Sequence, residues 1–158
     1  MYPSHFEYNP LYPNANDFKV VRKDDTSGMG VVCYKSFAKG DLIAVIAGEI
    51  ITDIRQHSLQ IKPGVHLYDV HFSGYFLHSC SPNVMLDMKN LRVYATRAIT
   101  PGDHLLMDYA QTEDVLFKQF PCSCGSKQCR GWITGKKEQI DEENPLYREF
   151  LSIKEAVV

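Results

Sequence analysis

Long apolar runs are missing. The longest, Leu42 to Ala47, is far too short to cross a bilayer, which needs about 20 residues. No basic stretch followed by an apolar core opens the chain, so no signal peptide is expected and an intracellular, reducing compartment is the default. Charge of one sign is also missing: 17 Lys and Arg against 19 Asp and Glu give a net charge of −2. That excludes the basic field of a DNA-binding domain and suits a basic peptide better as partner. There is no G-x-S-x-G, no Walker loop and no H-E-x-x-H, so the familiar hydrolase, phosphoryl-transfer and metalloprotease signatures are excluded. Repeats and low-complexity segments are absent as well.

What is present is an ordinary globular composition, 44% hydrophobic and 23% charged over 158 residues. That is one domain with a real core. Short strand-like runs broken by turn residues dominate. Phe18–Arg22, Gly30–Tyr34, Leu42–Ile46, Glu49–Thr52, His66–Phe72 and Leu105–Tyr109 read as strands. Val84–Asp87 and Leu91–Arg97 read as a hairpin turning at Lys89-Asn90. Asp53–Gln60 is expected as a short helix capped by Thr52 or Asp53. A second helix is expected from Asn144, with Pro145 in its first position and Leu146, Phe150 and Ile153 on one apolar face.

The five cysteines are unevenly spread. Cys122, Cys124 and Cys129 form C-x-C-x4-C among loop residues, a spacing that lets one loop wrap a metal ion. Tetrahedral zinc needs a fourth ligand, for which Cys80, Cys33 or a histidine are candidates. Cys33 lies in an apolar strand and reads as a small core residue. Three further clusters stand out. Gly28-Met29-Gly30 is either a tight turn or a place where backbone approaches a ligand. His78-Ser79-Cys80-Ser81-Pro82-Asn83 concentrates a proton carrier, a thiol and turn residues. Asp108-Tyr109 ends a strand.

Taken in order, these pieces resemble a SET-domain protein-lysine methyltransferase with a post-SET zinc loop. Ser27-Gly28-Met29-Gly30 looks like the opening glycine motif, and Ala47-Gly48-Glu49-Ile50-Ile51 is similar to the G-E strand. Leu77 to Asn83 looks like N-H-S-C-x-P-N with Leu77 in place of Asn, and Leu105 to Tyr109 resembles L-T-[FY]-D-Y. Cys122 to Gly131 matches the post-SET C-x-C-x4-C-R-G.

The resemblance implies a mainly β SET-domain (β-clip) fold. It consists of small curved sheets with a pseudoknot at His78–Asn83, short helices and a C-terminal helix. The expected parts are an extension over 1–16, the SET domain over 17–117, the post-SET loop over 118–135 and a helical tail over 136–158. It implies methyl transfer from S-adenosylmethionine to the amine of a lysine in a protein or peptide such as a histone tail, without nucleic acid or membrane. Tyr109 would be the catalytic tyrosine. Gly28, Met29, Gly30, Leu77 and His78 would contact the cofactor. Trp132 is expected either to stack on the adenine or to pack on the domain. Cys80 would join Cys122, Cys124 and Cys129 on zinc. Three departures from the pattern matter. Ile46 replaces a channel tyrosine, Leu77 replaces an asparagine that helps hold the cofactor, and Met107 stands where an aromatic residue tunes how many methyl groups are added. Met107 points to di- or trimethylation. Two other readings compete: a catalytically weak SET-like module that binds a peptide or the cofactor, and a zinc-stabilised β-domain of unrelated role.

Overall fold

The computed structural model describes residues 1–156 as small sheets wrapped around one main core. Residues 1–17 hold no regular element but are joined to the body: the Val45 N–H donates to the Leu11 carbonyl, and the Tyr2 hydroxyl accepts from the Ala47 N–H. Strands β1 (Phe18–Asp24) and β2 (Gly28–Cys33) form an antiparallel hairpin. Its turn needs Gly28, whose φ of +76° few side chains tolerate. Strand β3 (Leu42–Val45) is followed by β4 (Glu49–Ile51), β5 (Ser58–Lys62) and β6 (Val65–Tyr68). The last three make a sheet in the order β4-β6-β5.

The helix expected over Asp53–Gln60 is not formed. His57 takes a left-handed φ of 70°, and the chain then enters β5, where Leu59 and Gln60 are both buried. Pairing with β6 here outweighs the local helical pattern. A 3-10 turn at Ser73–Tyr75 leads into β7 (Leu77–His78). Strands β8 (Val84–Asp87) and β9 (Arg92–Ala95) form the expected hairpin and join β3 in the order β3-β9-β8.

The decisive crossing comes next. Strand β10 (Leu106–Met107) pairs in parallel with β7, although nearly thirty residues separate them. The segment after β7 is tied to the same strand. The Ser79 N–H donates to the Met107 carbonyl, the Asn83 N–H to the Leu106 carbonyl, and the Asn83 carboxamide bridges the His104 carbonyl and the Leu106 N–H. This is the pseudoknot, and Asn83 is its clasp. Helix α1 (Tyr109–Thr112) follows at once, capped by the Asp108 carboxylate. Strands β11 (Phe120–Pro121) and β12 (Trp132–Ile133) bracket the cysteine loop, and helix α2 (Pro145–Ala156) closes the described chain.

Phe72, Phe76, Leu67, Leu105 and Met107 centre the main core, and Cys33 lies fully buried in it as expected. Ile46 is there too, so the site that a channel tyrosine would occupy belongs to the core of this chain. Asn144 caps α2 through the Leu146 N–H as its sequence suggests. The buried face differs from the expected one. Tyr147 and Phe150 lie against Trp132, whereas Ile153 is 60% exposed.

Candidate active site and metal centre

Tyr109 stands at the first position of α1, directly after β10. Its hydroxyl donates to the Phe76 carbonyl at 2.7 Å. Burial pushes its pKa well up, and the nearby Glu113 carboxylate pushes it further, so it stays a neutral phenol at any ordinary pH. It can donate one hydrogen bond and accept at its oxygen, but it is no base.

Two cavities meet at this residue. The first, of about 560 Å³, is lined by His57, Tyr75, Phe76, Met107, Tyr109 and Glu113, with Gly28 and Met29 at its edge. The second, of about 450 Å³, is lined by Ser27, His78, Phe120, Cys122, Ser123 and Leu146. Ser27, Leu77, Tyr109, Lys118 and Phe120 line both. The expected site residues therefore divide. His78 borders the second cavity, Gly28 and Met29 border the first, and Leu77 borders both. Gly30 borders neither but lies under Leu77, where a Cβ would come within 2.7 Å of the leucine. Trp132 borders neither as well. It is buried beneath Tyr147 and Phe150, and its Nε1–H donates to Gln119, which favours packing over adenine stacking. Phe120 and Leu146 line the second cavity where Trp132 does not.

His78 is held in a defined state. Its Nδ1 accepts from the Tyr109 N–H at 3.1 Å, and its Nε2 lies 3.4 Å from the Cys80 sulfur. Burial lowers its pKa to about 4, so the ring is neutral and the Nε2 proton points at sulfur.

Cys80, Cys122, Cys124 and Cys129 gather with their sulfurs all within 4.8 Å of one another, Cys80 and Cys122 at 4.0 Å. Zinc–sulfur bonds of about 2.3 Å in a tetrahedron put sulfurs about 3.8 Å apart, so four thiolates fit one ion here. Backbone N–H groups of Cys124 and Arg130 point at the Cys122 and Cys80 sulfurs, as donors to metal-bound thiolates do. The loop is also fastened by Arg130, whose guanidinium grips Asp108.

A model of the SET domain matches residues 28–110, more than half of the chain. This chain belongs to the SET-domain family. Among its relatives is the histone-lysine N-methyltransferase trithorax of Drosophila virilis, 28% identical across 83% of this chain but only 4% of that protein. Methyltransferase flvH of Aspergillus flavus is 31% identical across 78% of this chain and 74% of that one. A solved structure of KRYPTONITE in complex with mCHH DNA, H3(1–15) peptide and SAH matches with a TM-score of 0.57. It is 25% identical over 73% of this chain and 29% of that one. The methyltransferase domain of human SETMAR has the same TM-score at 18% identity, covering 75% of this chain and 58% of that one. The SET chain thus spans a small part of trithorax and most of flvH. Among its described residues no helix is long and apolar enough to cross a membrane.

Sequence reasoning missed Glu113, Phe120 and Arg130 as parts of the site. Arg130 lies within the quoted C-R-G motif and was within reach. Glu113 belongs to no motif.

Proposed function

We propose that this chain transfers a methyl group from S-adenosylmethionine to the side-chain amine of a lysine in a protein substrate. A single observation carries the reading: Tyr109 and Leu77 line both cavities, so two ligands entering separately would meet at these residues. Ser27, Leu77, His78, Phe120 and Leu146 would hold the cofactor in the second cavity, and the substrate lysine would take the first. The cofactor supplies an electrophilic methyl group. The chain's own residues do the rest. The Tyr109 hydroxyl spends its proton on the Phe76 carbonyl, which leaves its oxygen free to hold C–H groups at the meeting point. Tyr75, Phe76 and Met107 exclude water and align the amine, the step in which such a site gains most.

Cys80, Cys122, Cys124 and Cys129 would hold zinc as a structural ion, since four thiolates leave no open position. Free thiols in such a centre suit a reducing, intracellular compartment. Names of relatives such as trithorax make a histone tail the first substrate to try. The test is transfer of labelled methyl from S-adenosylmethionine to mixed histones and to a cell lysate, with Tyr109→Phe alongside. Labelled lysine that falls about 100-fold or more in the variant supports the enzyme. Cofactor binding without label, in protein carrying its metal, supports the catalytically weak module that Leu77 would favour.

A further inference from the structure

Glu113 is an ionisable group in the first cavity with no ion-pair partner among the described residues. It is the C-cap of α1, where its N–H donates to the Tyr109 carbonyl, and both residues line the first cavity. It is 6% exposed. Its Oε2 accepts the Gln60 N–H at 2.8 Å, and the buried Thr112 hydroxyl, which has no other partner, lies beside the carboxylate. None of the ion pairs among the described residues includes it: Asp53 has Arg55, Asp108 has Arg130, Asp114 has Lys137 and Glu143 has Arg148. Burial pushes its pKa up against the pull of the Gln60 N–H and the Thr112 hydroxyl, and neighbouring Asp114 adds to the rise. Arg55, His57 and Lys118 line the same cavity without bonding to it, and Tyr109 faces it from α1. Leu59, Tyr75, Phe76, Met107 and Leu116 complete the wall.

A buried carboxylate held only by neutral donors costs several kcal/mol unless a cation completes it. Aromatic faces beside it add a second attraction for a cation. We propose that Glu113 is the counter-ion of the substrate lysine, receiving the side chain as an ammonium and then accepting one of its protons. The inference rests on the function proposed above for this cavity. In the step, an N–H bond breaks and leaves its electron pair on nitrogen, while an O–H bond forms on the Glu113 carboxylate, which becomes a neutral acid. The amine is then neutral, with a lone pair to use. Free lysine and glutamate differ by about 6 pKa units, but burial raises the acid and lowers the amine, which narrows the gap. The acid returns its proton to water after the product leaves. The substrate class follows: an alkyl amine that still carries a proton, with neutral isosteres discriminated against.

The test uses the full, metal-bearing chain with methionine labelled at its methyl carbon, and reads the Met107 signal, assigned by Met107→Leu. The probe is n-butylammonium, the end of a lysine side chain, compared with 1-butanol. Glu113→Gln keeps an acceptor for the Gln60 N–H. Saturable n-butylammonium binding that weakens about tenfold in Glu113→Gln, with 1-butanol bound alike by both, is the expected result. Binding in the wild type should also weaken as pH falls through the raised Glu113 pKa, and in the variant it should not. Equal n-butylammonium affinities, or an equal loss for 1-butanol, overturn the proposal. SAH added to the same samples checks the other reading separately: no SAH binding would count against methyl transfer and leave the ammonium result standing.

Discussion

Arg130 reaches back 22 residues to Asp108 and holds both carboxylate oxygens, Nη1 to Oδ2 at 2.9 Å and Nη2 to Oδ1 at 2.7 Å. Asp108 in turn caps α1, the turn that presents Tyr109. One ion pair therefore couples the cysteine loop to the tyrosine. Burial works against the Asp108 carboxylate, but the Arg130 contacts and the Ala110 N–H win and hold its pKa below the usual range.

Arg130→Lys keeps the charge and loses the fork. The guanidinium is partly exposed, so the stability cost should be small, about 1 kcal/mol, or a fall in Tm of about 2–4 °C. The loss of methyl transfer should be larger than that, because Tyr109 loses its anchor. Thermal melts and initial rates on one preparation compare the two. Asp108 has a lowered folded pKa, so its stabilisation is present above the unfolded value and disappears as pH falls through the folded one. The wild-type and Arg130→Lys melting curves should thus converge in acid.

The four-cysteine cluster predicts one zinc per chain by elemental analysis, with four thiols slow to react with a disulfide reagent until a chelator is added. Cys33 is buried in the core and should need denaturant. Because Cys122, Ser123 and Cys124 line the second cavity, removing the ion should weaken SAH binding by about tenfold or more, measurable by calorimetry. Cys122→Ser should do the same without chelator. Full SAH affinity in metal-free protein would detach the loop from the site.

Much of this site was legible because its residues sit in short contiguous motifs. Leu77 to Asn83, Leu105 to Tyr109 and Cys122 to Gly131 carry their spacing in the sequence. The crossing of β7 and β10 was legible only through family resemblance, since two-residue strands have no periodicity to read. Strand β5 was misread as helix although Pro63-Gly64 turns it straight back onto β6; the Gln60–Glu113 contact that also holds it lies far outside any local window. Ile153 fits the 3.6-residue pattern of α2, yet Tyr147 and Phe150 face Trp132 and turn it outward. Asp69, fully buried, gathers three N–H groups and the hydroxyls of Ser73 and Tyr2, and Tyr2 is 67 residues away. Glu113 looks like any surface acid until the cavity around it is assembled.

Glu113 also makes a prediction about stability alone. Its folded pKa lies above the unfolded value, so its protonated form favours the fold. That contribution is complete below the unfolded value of about 4.3 and is lost as pH rises through the folded one. At pH 7.5 Glu113→Gln should be at least as stable as wild type, and more stable by about 1 kcal/mol where the carboxylate is ionised. Below about pH 4 the two should melt together. A variant less stable than wild type at pH 7.5 would mean that the carboxylate is a structural acceptor first.

Leu77 offers the sharpest test of the cofactor cavity. It lies at the junction of both cavities, where the family signature has an asparagine, and it brings no polar group to a cofactor that has many. Leu77→Asn should tighten SAH binding by about 1 kcal/mol, roughly fivefold, if the carboxamide finds a partner. The same leucine fills the space above Gly30, where an added Cβ would stand 2.7 Å from Cδ1 and 3.1 Å from the His104 ring. Gly30→Ala should therefore destabilise wild type by about 1–3 kcal/mol through overpacking. In the Leu77→Asn background the shorter side chain should relieve part of that clash, so the two substitutions should not add. Calorimetry with SAH and melts on the four proteins of the cycle separate the effects. Additive stabilities would mean that Gly30 is constrained by His104, with no part played by Leu77. Unchanged SAH affinity in Leu77→Asn would mean that the cofactor is held without any polar contact at this position.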